Sequence, residues 1–137
     1  MIRIITASSL LLAASPAIAG MLPVCKGGNR AERHLTCIVD GDTGWEDGVK
    51  WRALDVDTPE ISHPECAAEK QLGMKARDRL RQLMGGGYHI EWQHENGRYG
   101  RELVKVILAD GRDAGQVLIK EGLSQPWPNQ GNRWCGQ

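Results

Sequence analysis

The stretch Arg52-Ala53-Leu54-Asp55-Val56-Asp57-Thr58-Pro59-Glu60 starts as an apolar strand and ends in an acidic turn stiffened by proline. Ten residues upstream of Arg52, Asp40-Gly41-Asp42-Thr43 forms a second acidic turn at the end of another strand. Two carboxylate-bearing strand ends in one small chain suit a hard divalent cation, Ca²⁺ or Mg²⁺, because such ions take oxygen ligands. Arg52 shares a strand face with Leu54 and Val56, an odd place for a charge unless it is aimed at something. Its planar guanidinium suits an anion, most simply a phosphate.

The flanking sequence supplies the frame. Leu35, Cys37 and Val39 alternate with Thr36, Ile38 and Asp40, which predicts a strand with Asp40 and Asp42 of one parity at its end. Asp47-Gly48 predicts a hairpin turn that returns the chain as a strand from Val49 to Val56. Ser62-His63-Pro64-Glu65 has the spacing of a capping box and predicts a helix to about Met84, with Ala68, Leu72, Ala76, Leu80 and Leu83 as its apolar stripe. Gly73 weakens the start of that helix, so its first turns are open to a loop. Tyr88, Ile90 and Trp92 alternate with His89, Glu91 and Gln93 as a half-buried strand. Leu103 to Ala109, nearly all apolar, predicts a more central one. Ala114, Val117 and Leu118 predict a short helix ended by Gly122, and the tail beyond is irregular. Antiparallel strands closing on themselves leave no exposed edge in a small domain. The expected fold is therefore α+β, a five-stranded antiparallel β-barrel with two helices at its side.

The chain has 137 residues, enough for one domain with a modest core; Phe is absent and five Trp help to fill it. Residues 1–19 have the charged start, apolar run and Ala17-Ile18-Ala19 site of a secretory signal, which predicts cleavage after Ala19. The mature domain, 20–137, is then secreted or periplasmic. No later stretch is apolar enough to span a bilayer, so no stable membrane association is expected, and a monomer is expected. Without Arg3 the chain carries 16 basic against 17 acidic groups, so any grip on nucleic acid must come from a local cluster. Four cysteines in a small exported domain predict two disulfides. Of three pairings, Cys25–Cys37 and Cys66–Cys135 are favoured, the first clipping the N-terminal arm and the second tying the tail to the body. Zinc held by these thiols with His34 and His63 is the competing reading, against which no CxxC or short HxxxH pair exists.

Val39-Asp40-Gly41-Asp42-Thr43, Arg52 to Glu60, Tyr99-Gly100-Arg101, Ala109-Asp110-Gly111 and Glu121-Gly122-Leu123 together resemble the staphylococcal-nuclease-like (thermonuclease) family, over roughly residues 35–125. Asp-Gly-Asp-Thr alone is a weak signal; joined to Asp-Thr-Pro-Glu and Tyr-Gly-Arg it is specific. The resemblance implies an OB-fold barrel and a Ca²⁺-dependent endonuclease acting on DNA and RNA, cleaving at the 5′-oxygen to leave 3′-phosphates. It implies metal ligation by Asp42, Asp57 and the Thr58 carbonyl, with Asp40 supporting them without touching the ion. Glu60 would orient or deprotonate water, and Arg52 and Arg101 would grip the phosphoryl oxygens. Arg98 and Tyr99 would contact substrate, Tyr99 by stacking on bases of single strands, the preferred substrate; Trp127 is a second candidate for stacking. The alternative is a catalytically silent OB-fold module that binds nucleic acid or protein, which should lack one of the five side chains Arg52, Asp42, Asp57, Glu60 and Arg101; all are present. The chain ends soon after Trp127, has no tyrosines beyond Gly122 and is not basic, all departures from the best-known members. Asp55 stands where the family usually has a small or apolar residue and is taken as structural.

Overall fold

The computed structural model describes residues 20–96 and 100–136. The expected signal at 1–19 and the substrate candidates Arg98 and Tyr99 lie outside these residues. The chain runs β1 (Cys37–Asp40), β2 (Thr43–Glu46), β3 (Val49–Ala53), β4 (Val56–Asp57), α1 (Ala67–Gly85), β5 (Tyr88–Asn96), β6 (Glu102–Leu108), α2 (Ala114–Lys120) and β7 (Gln125–Pro126).

The Asp47-Gly48 turn forms as the sequence predicts. Both residues take positive φ, 45° and 80°, and Glu46 pairs with Val49 across the hairpin. β6, the most apolar strand, is central, flanked by β3 and β5 in a sheet of order β1-β2-β3-β6-β5. Its Val104, Val106 and Leu108 meet Ile38, Trp51, Leu80, Met84 and Leu118 in the core. Trp51 is fully buried there and takes the central place that a phenylalanine would otherwise fill.

The expected antiparallel, closed barrel is corrected on two points. β3 and β6 run parallel, Arg52 pairing with Leu103, so the sheet is mixed. A parallel pair needs a long crossover, and the excursion through α1 supplies it. Nor do β1 and β5 pair among the described residues. The outer edge of β1 is already taken by the N-terminal arm: Cys25 N–H donates to the Ile38 carbonyl and Ile38 N–H to that of Pro23, both at 2.9 Å. The Cys25–Cys37 disulfide fixes this arm, and the edge is covered without closure. The sheet is nonetheless rolled, because the Tyr88 hydroxyl on β5 donates to Glu46 on β2 at 2.7 Å across the two intervening strands.

The strand expected over 49–56 breaks at Leu54-Asp55. Asp55 adopts a left-handed φ of 63°, which a short polar side chain tolerates better than most. Its carbonyl accepts the Trp127 N–H at 3.1 Å. The chain then enters β4, which pairs with β7 in a separate two-stranded sheet. Asp55 is thus a turn residue that anchors the tail.

Helix α1 starts later than the capping-box pattern predicts. Its N-cap is Cys66, whose sulfur accepts the Glu69 N–H, and the same sulfur is bonded to Cys135. The 61–65 segment is loop, ordered by other means described below. The buried stripe is Glu69, Gly73, Ala76, Leu80 and Met84, so Ala76 and Leu80 are as predicted while Ala68 is exposed. Gly73 lets the helix approach the chain after β4: a Cβ here would stand 2.7 Å from the Pro59 carbonyl oxygen and 3.3 Å from the Glu60 carbonyl carbon. Alanine would gain about 1 kcal/mol of helix propensity, yet the overlap is with backbone that cannot swing aside. We expect Gly73→Ala to lose about 1–2 kcal/mol net, read as a lower urea midpoint with unchanged slope.

Both favoured disulfides are formed, and they are consistent with an oxidising compartment. Among the described residues no helix is long and apolar enough to cross a membrane.

Candidate active site

The β1–β2 turn packs directly on the Thr58 segment and on α1. A side chain at Gly41 would overlap Thr58 Oγ1 and stand 2.9 Å from Ala76 Cβ, so only glycine permits this approach. Asp40 shapes the turn from within, its Oδ1 accepting the Asp42 N–H at 3.1 Å. Asp42 is thereby turned inward and is only 5% exposed. Its Oδ1 accepts the Thr43 hydroxyl at 3.0 Å and its Oδ2 the Thr58 N–H at 3.1 Å.

Arg52 meets the same carboxylate. Its Nη1 lies 3.1 Å from Asp42 Oδ2 and donates to the carbonyls of Ala53 and Val56, each at 2.8 Å. The guanidinium therefore staples the Leu54-Asp55 turn and balances a buried charge. Its position on an apolar face follows from that: it is aimed at the turn carbonyls and Asp42. Asp57, on β4, is held from the tail, its Oδ2 accepting Gln125 Nε2 at 2.9 Å and Asn129 Nδ2 at 2.8 Å.

Glu60 is exposed at the rim, three residues beyond Asp57. Its carboxyl is held above the ordinary range by partial burial first, then by the charges of Asp40, Glu69 and Asp57, with Arg52 opposing. Asp42 is raised well above its ordinary value by burial, then by Asp40, again with Arg52 opposing. Asp42 meets both Arg52 and the Thr58 N–H, and Asp57 and Glu60 stand one residue before and two residues after Thr58.

Arg101 immediately precedes β6, whose first residues pair with Trp51 and Arg52 on β3. Its backbone therefore leads into the strand adjoining that of Arg52. Trp127, following β7, is 54% exposed beside the strand that carries Asp57, so the indole is available to a ligand.

Three contributors lie beyond the predicted set: Glu69, which accepts the Glu60 N–H, and the tail amides Gln125 and Asn129. The tail amides carry no local signal, since Asp57 meets them only through the β4–β7 pairing. Glu69 did leave a trace. It stands at helical spacing from Gly73, Ala76 and Leu80, a carboxylate on a buried stripe.

A model of the staphylococcal nuclease homologue family matches residues 50–132, more than half of the chain. The chain belongs to that family. The segment shared with staphylococcal nuclease homologues contains Arg52, Asp57, Thr58, Glu60 and Arg101, and also Glu69 and the tail through Asn132. Asp40 and Asp42 lie upstream of it and enter the site through the Gly41 contact and the Thr58 hydrogen bond. Membership in the staphylococcal nuclease homologue family supports a nuclease-like function.

The donor set fits a hard cation. Every candidate atom is an oxygen, the kind of donor that such a cation takes. Among the described residues no three His, Cys, Asp or Glu side chains stand in ligating arrangement. The residues that could hold a cation are Asp42, Asp57 and the Thr58 carbonyl, oxygen donors of the kind a calcium ion takes.

Proposed function

We propose that this protein is an exported Ca²⁺-dependent endonuclease, built on a partly open OB-type barrel, that hydrolyses phosphodiester bonds of DNA and RNA. What supports the reading is that Asp42 meets both Arg52 and the Thr58 N–H, with Asp57 and Glu60 flanking Thr58, in a staphylococcal nuclease homologue. The sheet order, with one parallel pair beside antiparallel ones, supports the OB assignment. The two disulfides support export, and cleavage of the leader after Ala19 would yield the mature chain.

In this reading Asp42, Asp57 and the Thr58 carbonyl would hold calcium, and Asp40 keeps Asp42 in place. The bound ion would supply positive charge against the negative charge that develops on the phosphoryl group. Glu60 orients the attacking water and accepts its proton; the carboxyl, raised by partial burial and then by its acidic neighbours, is a better base than an isolated Glu. Arg52 and Arg101 bond the phosphoryl oxygens as in-line displacement proceeds. Arg52 enters that role already anchored to Asp42 and the turn carbonyls, so its guanidinium needs little reordering. Cleavage falls at the 5′-oxygen and leaves a 3′-phosphate. Unpaired strands are preferred, with bases stacking on Tyr99 and Trp127 and with Arg98 on the backbone. The protein acts as a monomer and without stable membrane association.

The test is direct. Purified disulfide-bonded protein is expected to cut single-stranded DNA in calcium and to stop in chelator. Calcium at about 100 times its Kd should also stabilise the fold by about 2.7 kcal/mol, a gain absent in Asp57→Asn. Tight binding of single-stranded DNA with no cleavage under any metal would instead assign the chain as a silent OB module.

A further inference from the structure

The loop from Glu60 to Glu65 has little of its own to hold it. It lies between β4 and α1, and it carries the residue assigned as base. A single buried carboxylate gathers it. Glu69, on the first turn of α1 and 3% exposed, accepts the Glu60 N–H on Oε2 at 3.0 Å and the Glu65 N–H on Oε1 at 2.7 Å. Both ends of the loop are thus pinned to one side chain. From beneath, the loop rests on Gly73, where there is no room for even a methyl group.

The tail completes the arrangement. Asn132 Nδ2 donates to Glu69 Oε1 and to Glu65 Oε2, both at 3.0 Å. Asn132 is brought there by the Cys66–Cys135 bond, whose other end caps the same helix. Burying a polar side chain is costly unless its atoms are hydrogen-bonded, and here two backbone N–H groups and one amide serve the two oxygens. A glutamate at this depth is a poor choice for packing alone. Its value lies in having two acceptor oxygens to hold two backbone groups at once.

We propose that Glu69, supported by Asn132, is a positioning residue that sets the Glu60 carboxylate against its substrate, so that the C-terminal tail contributes to turnover without touching the reacting atoms. This rests on the endonuclease reading above. Glutamine at 69 keeps the shape but has one acceptor oxygen, so it can serve the Glu60 N–H or the Glu65 side of the loop, not both. A base displaced by about 1 Å loses up to about 100-fold in rate.

The experiment measures kcat and KM on a single-stranded DNA oligonucleotide for the parent, Glu69→Gln and Asn132→Ala, each alone and combined with Glu60→Ala. Expected are losses in kcat of about 10–100-fold for Glu69→Gln and a smaller loss for Asn132→Ala, with KM within about twofold. In the Glu60→Ala background neither substitution should cost anything further, because both act through Glu60. A folded Glu69→Gln with parental kcat would overturn the proposal. So would the same fractional loss with and without Glu60, which is what general structural damage produces. If Glu69→Gln does not fold, as judged by circular dichroism, Asn132→Ala is decided on the same two criteria. A parent that leaves the oligonucleotide intact removes the endonuclease reading and this inference with it, an outcome distinct from an active parent indifferent to Glu69.

Discussion

Glu60→Ala is expected to lower kcat on single-stranded DNA by about 10²–10⁴-fold, the range general-base catalysis supplies, while the thermal midpoint stays where it was. The two halves of that expectation come from different atoms of one residue. Catalysis is assigned to a carboxylate at the exposed rim, and the loop is held by backbone. Truncation at Cβ leaves the N–H bond to Glu69 and the seat on Gly73 in place. It also removes one negative charge from beside Asp40, Asp57 and Glu69, which relieves repulsion. Stability should therefore move by no more than about 0.5 kcal/mol. Turnover by a folded Glu60→Ala at the parental rate would remove Glu60 from the role of base.

Arg52→Ala is expected to behave differently, losing fold as well as activity. The guanidinium balances Asp42 and ties the carbonyls of Ala53 and Val56, and the two side chains are only 16% and 7% exposed. Removing one partner of a buried pair typically costs about 3–5 kcal/mol because the other charge is left uncompensated. In a domain of this size that lowers the thermal midpoint by about 10–25 °C. The deficit has a pH signature. Burial already raises the Asp42 carboxyl above its unfolded value, and loss of Arg52 raises it further. A carboxyl raised on folding penalises the folded state above that pKa, and the penalty fades as pH falls towards the unfolded value of about 3.9. The gap between parent and Arg52→Ala should thus be widest near neutral pH and narrow in acid. Calorimetry or urea titration at several pH values reads it directly, and a gap independent of pH would mean that Asp42 is not the group left exposed.

What local pattern could foretell here is what local chemistry decides. Asp47-Gly48 announces its hairpin because only a few residues accept two successive positive φ angles. The apolar run of β6 announces an interior strand, which it is, although only the face with Val104, Val106 and Leu108 is fully buried. Asp42, Asp57, Arg52 and Glu60 could be singled out because charges at strand ends are conspicuous against an apolar background. The break at Asp55 could not, since it depends on Arg52 reaching two carbonyls and on Trp127 arriving from the far end of the chain. Barrel closure failed as an expectation for a similar reason. The edge of β1 was met by an arm from 23–25 with no strand-like pattern of its own. Ser62 and Glu65 imitate a capping box a turn ahead of the true start of α1; the turns that Gly73 leaves open to a loop are loop, and the residue that caps, Cys66, is conspicuous only as a cysteine.

The Cys66–Cys135 bond joins residues 69 apart, and the tail it secures carries Asn129 to Asp57 and Asn132 to Glu65 and Glu69. Closing a loop of that length by a covalent link is worth roughly 4 kcal/mol in chain-entropy terms, and none of it exists before oxidation. A chain with its thiols reduced would have all its acidic side chains and arginines but no tether to gather the final segment. In the exported-nuclease reading proposed above, competence would then be acquired late, by an event of redox chemistry, once the polypeptide is away from its maker's own nucleic acids.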